Sequence, residues 1–331
     1  MNLSLRIAFL GSDALALPLL NWLGGEGQAV AQVVGVFTQP ERAVGRGQKV
    51  QANAIKAWAQ ERGLPVFQPE KLDEVARGQL TGLGADLGLV MAYGHILRDD
   101  FIGTPRLGML NLHTSVLPKY RGASPIQSAI ANGDRATGVT LMRIVRRLDA
   151  GPVADVERVN IGARDTAADV EARLGQACVP LLARALPRLA AGTLSFAPQD
   201  EAAASYCRKL RKEDGVLDFS APARSLAVRI NGLFPWPACS VAISGQLIKL
   251  GLAEVAAPIA EGQMSSAVAG GVVGADAEGL LIATGEGVLR LRRLQRPGGK
   301  MLAATEFLRG FAVPARTQLA SQPMPPLVTT R

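Results

Sequence analysis

Residues 107–151 read LGMLNLHTSVLPKYRGASPIQSAIANGDRATGVTLMRIVRRLDAG and bring together an amide, an imidazole and a carboxylate at Asn111, His113 and Asp149. An amide donates N–H, an imidazole exchanges protons near neutrality, and a carboxylate accepts. Asn111 and His113 alternate with Leu110 and Leu112, and strand side chains repeat every second residue, so the two polar groups share one face. A polar pair on one face of a buried strand is costly unless the pair meets a ligand or each other.

Each residue also has a plainer reading. His113 can be a satisfied structural histidine, Asp149 before Ala150-Gly151 a turn former, and Lys119, Tyr120 and Arg121 a solvated loop.

The elements that position these groups follow from periodicity. After His113 the pattern breaks into a loop marked by Pro118 and Gly122, at the carboxyl end of the strand, where open α/β sheets bind ligands. Ser124-Pro125 opens a helix. Residues 137–145 are β-branched and apolar, a neighbouring strand that ends near Asp149. Upstream, residues 5–10 form a strand, Gly11 a turn and residues 14–23 a helix, the opening of a mononucleotide-type fold. The G-x-G-x-x-G fingerprint is missing, which argues against a nicotinamide cofactor. Further strands are expected at 30–37, 65–67, 86–91 and 152–161, with helices at 52–62, 72–83, 165–189 and 220–233. The short strands 239–243, 247–252, 271–273, 280–284 and 288–294, separated by glycine turns, fit a small Greek-key barrel.

At 331 residues the chain favours two domains, and 48 % hydrophobic residues mark it as globular. No apolar run reaches the ~18 residues of a membrane span, and the start carries neither a basic head nor a cleavage site, so the cytoplasm is expected. Three cysteines and two histidines argue against a disulfide framework and against a metal site. A net charge of +8 points to an anionic partner, nucleic acid being the commonest. The loop 38–49 holds Arg42, Arg46 and Lys49, either an ordinary connection or a phosphate contact. Arg290, Arg292 and Arg293 on a barrel strand leave the same alternatives open.

Taken in order, the motifs Asn111-x-His113-x-Ser115-x-Leu117-Pro118-x-x-Arg121-Gly122, Gly133-Asp134-x-x-Thr137-Gly138-Val139-Thr140 and Leu148-Asp149-x-Gly151 resemble those of the 10-formyltetrahydrofolate-dependent formyltransferases. The likeness extends over nearly the whole chain, through Arg6-Ile7-x-Phe9-x-Gly11, Val36-Phe37-Thr38-Gln39-Pro40, Ala92-Tyr93-Gly94 and Pro235-Trp236-Pro237. Within the family it is nearest the branch that formylates initiator methionyl-tRNA.

The resemblance implies a Rossmann-like, mostly parallel α/β sheet followed by an OB-like β-barrel. Residues 1–191 would be the catalytic domain, 192–204 a linker, 205–316 the OB-like tRNA-contacting domain and 317–331 a flexible tail. It implies 10-formyltetrahydrofolate as co-substrate, contacted by Tyr93, Gly94, Ser115, Val116, Leu117 and Pro118. It implies tRNA contacts from the loop with Arg42, Arg46 and Lys49; the dense basic segment 206–212 adds Lys209 and Lys212 as expected contacts, and a monomer is expected.

The chemistry demands that an amine attack a formyl carbon while negative charge gathers on the formyl oxygen and a folate nitrogen leaves with a proton. Asn111 is then expected to hold that oxygen, His113 to stabilise it and pass the proton, and Asp149 to orient the imidazole and collect the amine's proton. In place of the family's glycine stands Arg147, which puts the geometry of the Asp149 turn in question. A formyltransferase for an amino sugar or ribonucleotide would carry the same three residues, and a non-catalytic RNA-binding protein would not need them.

Overall fold

A computed structural model describes residues 4–41, 43–44, 49–257 and 268–330, the side chains of 43–50 excepted. By contacts the chain divides into two compact units. The first comprises Met1–Arg121, Gly138–Val159 and Glu171–Ala204, the second Gly122–Thr137, Asn160–Val170 and Ser205–Arg331.

The first unit is built on β1 (Leu5–Gly11), β2 (Ala31–Phe37), the hairpin β3 (Ala43–Val44) and β4 (Lys49–Val50), β5 (Val66–Phe67), β6 (Leu87–Met91) and β7 (Met109–His113). After the short β8 (Arg121–Gly122) come β9 (Ala136–Arg143) and β10 (Val153–Asn160). The main sheet runs β10-β9-β7-β6-β1-β2-β5, parallel from β7 through β5, with β9 antiparallel to β7. Successive strands step outward from β1 on either side, so the order reverses beside it. Such a switch point opens a crevice at the carboxyl ends of the strands. Strands buried on both faces need continuous apolar runs, and β6 is buried at every position.

Helices α1 (Leu17–Leu23), α2 (Ala54–Gln60), α3 (Glu74–Gly82) and α4 (Asp99–Ile102) follow the early strands. Local chemistry sets their starts: Pro18 lies in the first turn of α1, and the Asn53 and Asp73 side chains accept backbone N–H groups at the starts of α2 and α3. Helix α5 (Pro125–Ala131) begins where Ser124-Pro125 predicts. Pro180 and Pro187 do not break the long α6 (Ala167–Ala190).

The second unit contains α7 (Ala223–Leu233) and a sheet of β12 (Cys239–Ile243), β13 (Gln246–Val255), β14 (Val272–Ala275), β15 (Leu280–Ala283), β16 (Val288–Gln295) and β17 (Leu302–Ala303). Its order is β12-β13-β16-β15-β14 with β17 on β16, every pairing antiparallel, as an OB-like half-barrel requires. Leu226, Ile230 and Leu233 of α7 share a core with Ile248, Leu250, Leu289, Leu291 and Phe307, the last from α8 (Ala304–Gly310).

Two expectations need correction. Residues 192–204 are no loose linker: Leu194 is buried, and Ala197 and Val153 exchange backbone hydrogen bonds of 2.8 Å in both directions. Residues 317–330, within the stretch expected to be a flexible tail, are no flexible tail either. Leu319 and Leu327 are buried, and β18 (Val328–Thr330) pairs antiparallel with β11 (Ser205–Cys207). The prolines made this stretch look frayed, but their carbonyls still accept: Arg229 donates to Pro325 O at 3.0 Å and Arg208 to Pro326 O at 3.2 Å.

If the C-terminal stretch is packed in this way, Leu319→Ala empties a core position and lowers stability by about 2–5 kcal/mol. Urea unfolding followed by tryptophan fluorescence measures it, and a loose tail would leave the midpoint unmoved.

Candidate active site

β7 ends on His113, which is 7 % exposed, and places the half-buried Asn111 two residues earlier on the same strand. The Nε2 atom of His113 lies 2.9 Å from the backbone carbonyl of Tyr120. A carbonyl only accepts, so Nε2 carries the hydrogen. That leaves Nδ1 on the other side of the ring, 3.7 Å from Asp149 Oδ2. The separation exceeds a hydrogen bond but holds an ion pair when the ring is protonated. Nδ1 is therefore the nitrogen that can take or give a proton beside Asp149. The structure brings the three sequence-predicted groups to one edge of the sheet in the first unit.

Backbone geometry makes the pairing possible. Tyr120 and Asp149 both occupy the left-handed region, at φ 60° and 48°. The Asp149 turn lies so close to β9 that a Cβ on Gly151 would sit 1.9 Å from the carbonyl oxygen of Arg143. Glycine is obligatory there.

The turn at 115–119 is closed from inside. Ser115 Oγ donates to Lys119 O at 2.6 Å, Thr140 Oγ1 donates to Ser115 O at 2.6 Å, and Leu117 N donates to Thr140 Oγ1 at 3.1 Å. Ser115 and Leu117 are thereby buried, while Val116 and Pro118 stay half-buried. At the end of β6, Gly94 adopts φ 81°, and Gln39 Nε2 donates to Tyr93 O at 3.0 Å. The Tyr93 ring is 2 % exposed and packs among core residues such as Phe37 and Phe101, and burial raises its phenol pKa. What the 92–94 turn offers a flat ligand is backbone, with Gly94 exposed.

The candidate phosphate contacts stand apart from these groups in character. Arg42 and Arg46 lie outside the described residues. Lys49 lies in the β3–β4 hairpin, and Lys209 and Lys212 are exposed. Arg290 and Arg292 are already matched by acid: Arg290 bonds Glu254 at 3.0 Å and Asp276 at 2.5 Å, and Arg292 bonds Glu254 at 2.6 Å. That pairing removes them as free cations for phosphate.

Sequence reading missed a second layer. Arg121, weighed as part of a solvated loop, is fully buried and donates to Gln199 Oε1 and to the Glu201 carboxylate. Gln199 in turn donates to the carbonyls of Asp149 and Gly151. Arg147 also reaches Glu201, at 2.7 Å, so its bulk leaves the turn instead of crowding Asp149. Residues so far apart in the chain carry no local signal of this connection.

Residues 5–186 match the family described as Formyl transferase and residues 209–312 its C-terminal domain. The chain is 42 % identical over 305 residues to the methionyl-tRNA formyltransferase of Ectopseudomonas mendocina, covering 92 % of this chain and 94 % of that protein. It is 39 % identical over 310 residues to the methionyl-tRNA formyltransferase of Methylococcus capsulatus, covering 93 % and 98 %. Among solved structures, HypX from Aquifex aeolicus in complex with tetrahydrofolic acid superposes with a TM-score of 0.63 at 17 % identity, over 92 % of this chain and 47 % of that one. The sugar 3N-formyl transferase WlaRD gives 0.63 at 16 %, over 90 % and 100 %. These two likenesses are of fold.

Arg121 and Arg147 hold the Glu201 carboxyl down at about 2. A depressed pKa contributes stability that is complete above the ordinary carboxylate value of ~4.3 and is lost as pH falls toward 2. The difference in thermal stability between wild type and Glu201→Gln is therefore expected to stay constant from pH 5 to 8 and to narrow below pH 4.5. Scanning calorimetry across that range checks it.

Proposed function

The chain belongs to the formyl transferase family, and on that premise we propose how its site works. The reaction is transfer of the formyl group of 10-formyltetrahydrofolate to the free amino group of initiator methionyl-tRNA, giving N-formylmethionyl-tRNA for translation initiation. The observation that carries the catalytic reading is the His113 ring held between the Tyr120 carbonyl and the Asp149 carboxylate at the strand edge that also presents Asn111.

The co-substrate supplies a formyl carbon on a nitrogen that leaves readily once protonated. Asn111 directs amide N–H toward the formyl oxygen, where negative charge gathers. His113, when its ring is protonated, adds positive charge there and hands a proton from Nδ1 to the departing nitrogen. Asp149 faces the imidazole's Nδ1 and accepts the proton shed by the attacking amine. The 92–94 and 115–118 turns fit the folate co-substrate as backbone and apolar walls, supplied by Tyr93, Gly94, Val116 and Pro118 with Ser115 and Leu117 holding the shape.

Methionyl-tRNA is favoured over a small amine as acceptor because the likeness to the two relatives runs on through the C-terminal unit. Arg42, Arg46, Lys49, Lys209 and Lys212 supply cations for its phosphates. The reading extends to a cytoplasmic monomer that does not enter a membrane. Among the described residues, no helix is long and apolar enough to cross one.

Single-turnover formylation of methionyl-tRNA tests the triad. Asn111→Ala is expected to lower the rate roughly 10²–10³-fold and His113→Ala roughly 10²–10⁴-fold, with folding retained. Near-wild-type rates in folded variants would refute the assignment.

Phosphate contacts are tested by salt. The slope of log affinity for tRNA against log salt is expected to flatten by about 1 for each of Lys209→Ala and Lys212→Ala. An unchanged slope removes these residues from the interface.

A further inference from the structure

We propose that Gln199 is the positioning residue that sets the Asp149 carboxylate, with Arg121 as its anchor; this rests on the reaction proposed above. Gln199 uses every hydrogen-bonding position of its amide. Its Nε2 donates to the carbonyls of Asp149 and Gly151, both at 2.8 Å, and its Oε1 accepts from Arg121 Nε at 3.1 Å and Nη2 at 2.8 Å. The partners fix which end is which, because carbonyls only accept and a guanidinium only donates. A side chain that offers two donors on one atom and an acceptor on another, at this length, is glutamine.

The anchor is equally constrained. Arg121 is fully buried, and two more of its N–H groups reach Glu201 Oε1 at 3.0 Å and Oε2 at 3.1 Å. Glu201 also takes Arg147. The segment from Arg147 to Gly151 is thus tied at both ends to residues 199–201, by a side chain at one end and by two carbonyls at the other. Arg121 also directly follows Tyr120, whose carbonyl holds His113 Nε2. One guanidinium therefore links the support of the imidazole to the support of the carboxylate. Asp149 sits at φ 48°, a conformation that persists only where its surroundings impose it. Without the two Gln199 donors the turn loses its hold at the Asp149–Gly151 end, and a displacement of about 1 Å in a reacting group can cost on the order of 10²-fold in rate.

Gln199→Glu separates the two ends of the amide. It keeps oxygen for Arg121 but sets oxygen, in place of N–H, against the two carbonyls. The expected result with methionyl-tRNA and 10-formyltetrahydrofolate is a kcat lower by roughly 10²-fold, KM values for both substrates within about threefold, and a pH–kcat profile of altered shape. A double-mutant cycle decides whether the effect passes through Asp149: in an Asp149→Ala background, Gln199→Glu is expected to lower kcat no further. If Gln199→Glu does not fold, Gln199→Met, of similar length and without donors, takes its place in the same cycle. A kcat within twofold of wild type, or a loss that multiplies fully onto that of Asp149→Ala, overturns the proposal. A wild-type protein that releases no tetrahydrofolate overturns the reaction itself instead.

Discussion

An imidazole can be held between a carbonyl and a carboxylate only if both flanking segments turn back toward it, and here each does so at a non-glycine residue in the left-handed region, Tyr120 and Asp149. Each such residue costs about 1–3 kcal/mol in backbone strain. The offset comes from the surroundings. The Thr140 and Ser115 hydroxyls close the turn that leads toward Tyr120, and Gly151 lets the Asp149 turn lie against the Arg143 carbonyl. The parallel sheet, with its reversal beside β1, brings the ends of β6 and β7 to one edge, so that residues from Gln39 to Gln199 contribute to a single rim.

The part of this visible in the sequence is the part written in local periodicity. Leu110 and Leu112 alternating with Asn111 and His113 gave away the strand and its polar face, and Ser124-Pro125 marked the start of α5. Gly151 was legible as a turn, although the reason for glycine there, contact with the Arg143 carbonyl, depends on β9. Arg121, Gln199 and Glu201 were not legible. A buried arginine has no local signature, and its partners lie far along the chain in a polar stretch that reads as a boundary. At Tyr93 the motif locates the turn, and packing adds that the ring turns into the core.

Charge was the least reliable guide. A net +8 is real, but it does not say which cations are free, and many of them are matched by acid within the chain. Arg290 and Arg292 are balanced by Glu254 and Asp276, Arg208 pairs with Asp214, and Arg184 pairs with Asp155 and Glu157. The cations left to meet a polyanion among the described residues are exposed ones such as Lys209 and Lys212. A count of basic residues finds the class of partner; only the pairing of each one finds the surface.

The claim on which the catalytic account turns is that His113 offers Nδ1 to Asp149 while Nε2 is tied to backbone. Nitrogen-15 NMR of the imidazoles tests it directly, since the chain has only two histidines and a His95 substitution assigns the spectrum. The account predicts that neutral His113 carries its proton on Nε2 and that Asp149→Asn moves the Nδ1 resonance. A proton on Nδ1 in the neutral ring, with a resonance indifferent to Asp149→Asn, would contradict it.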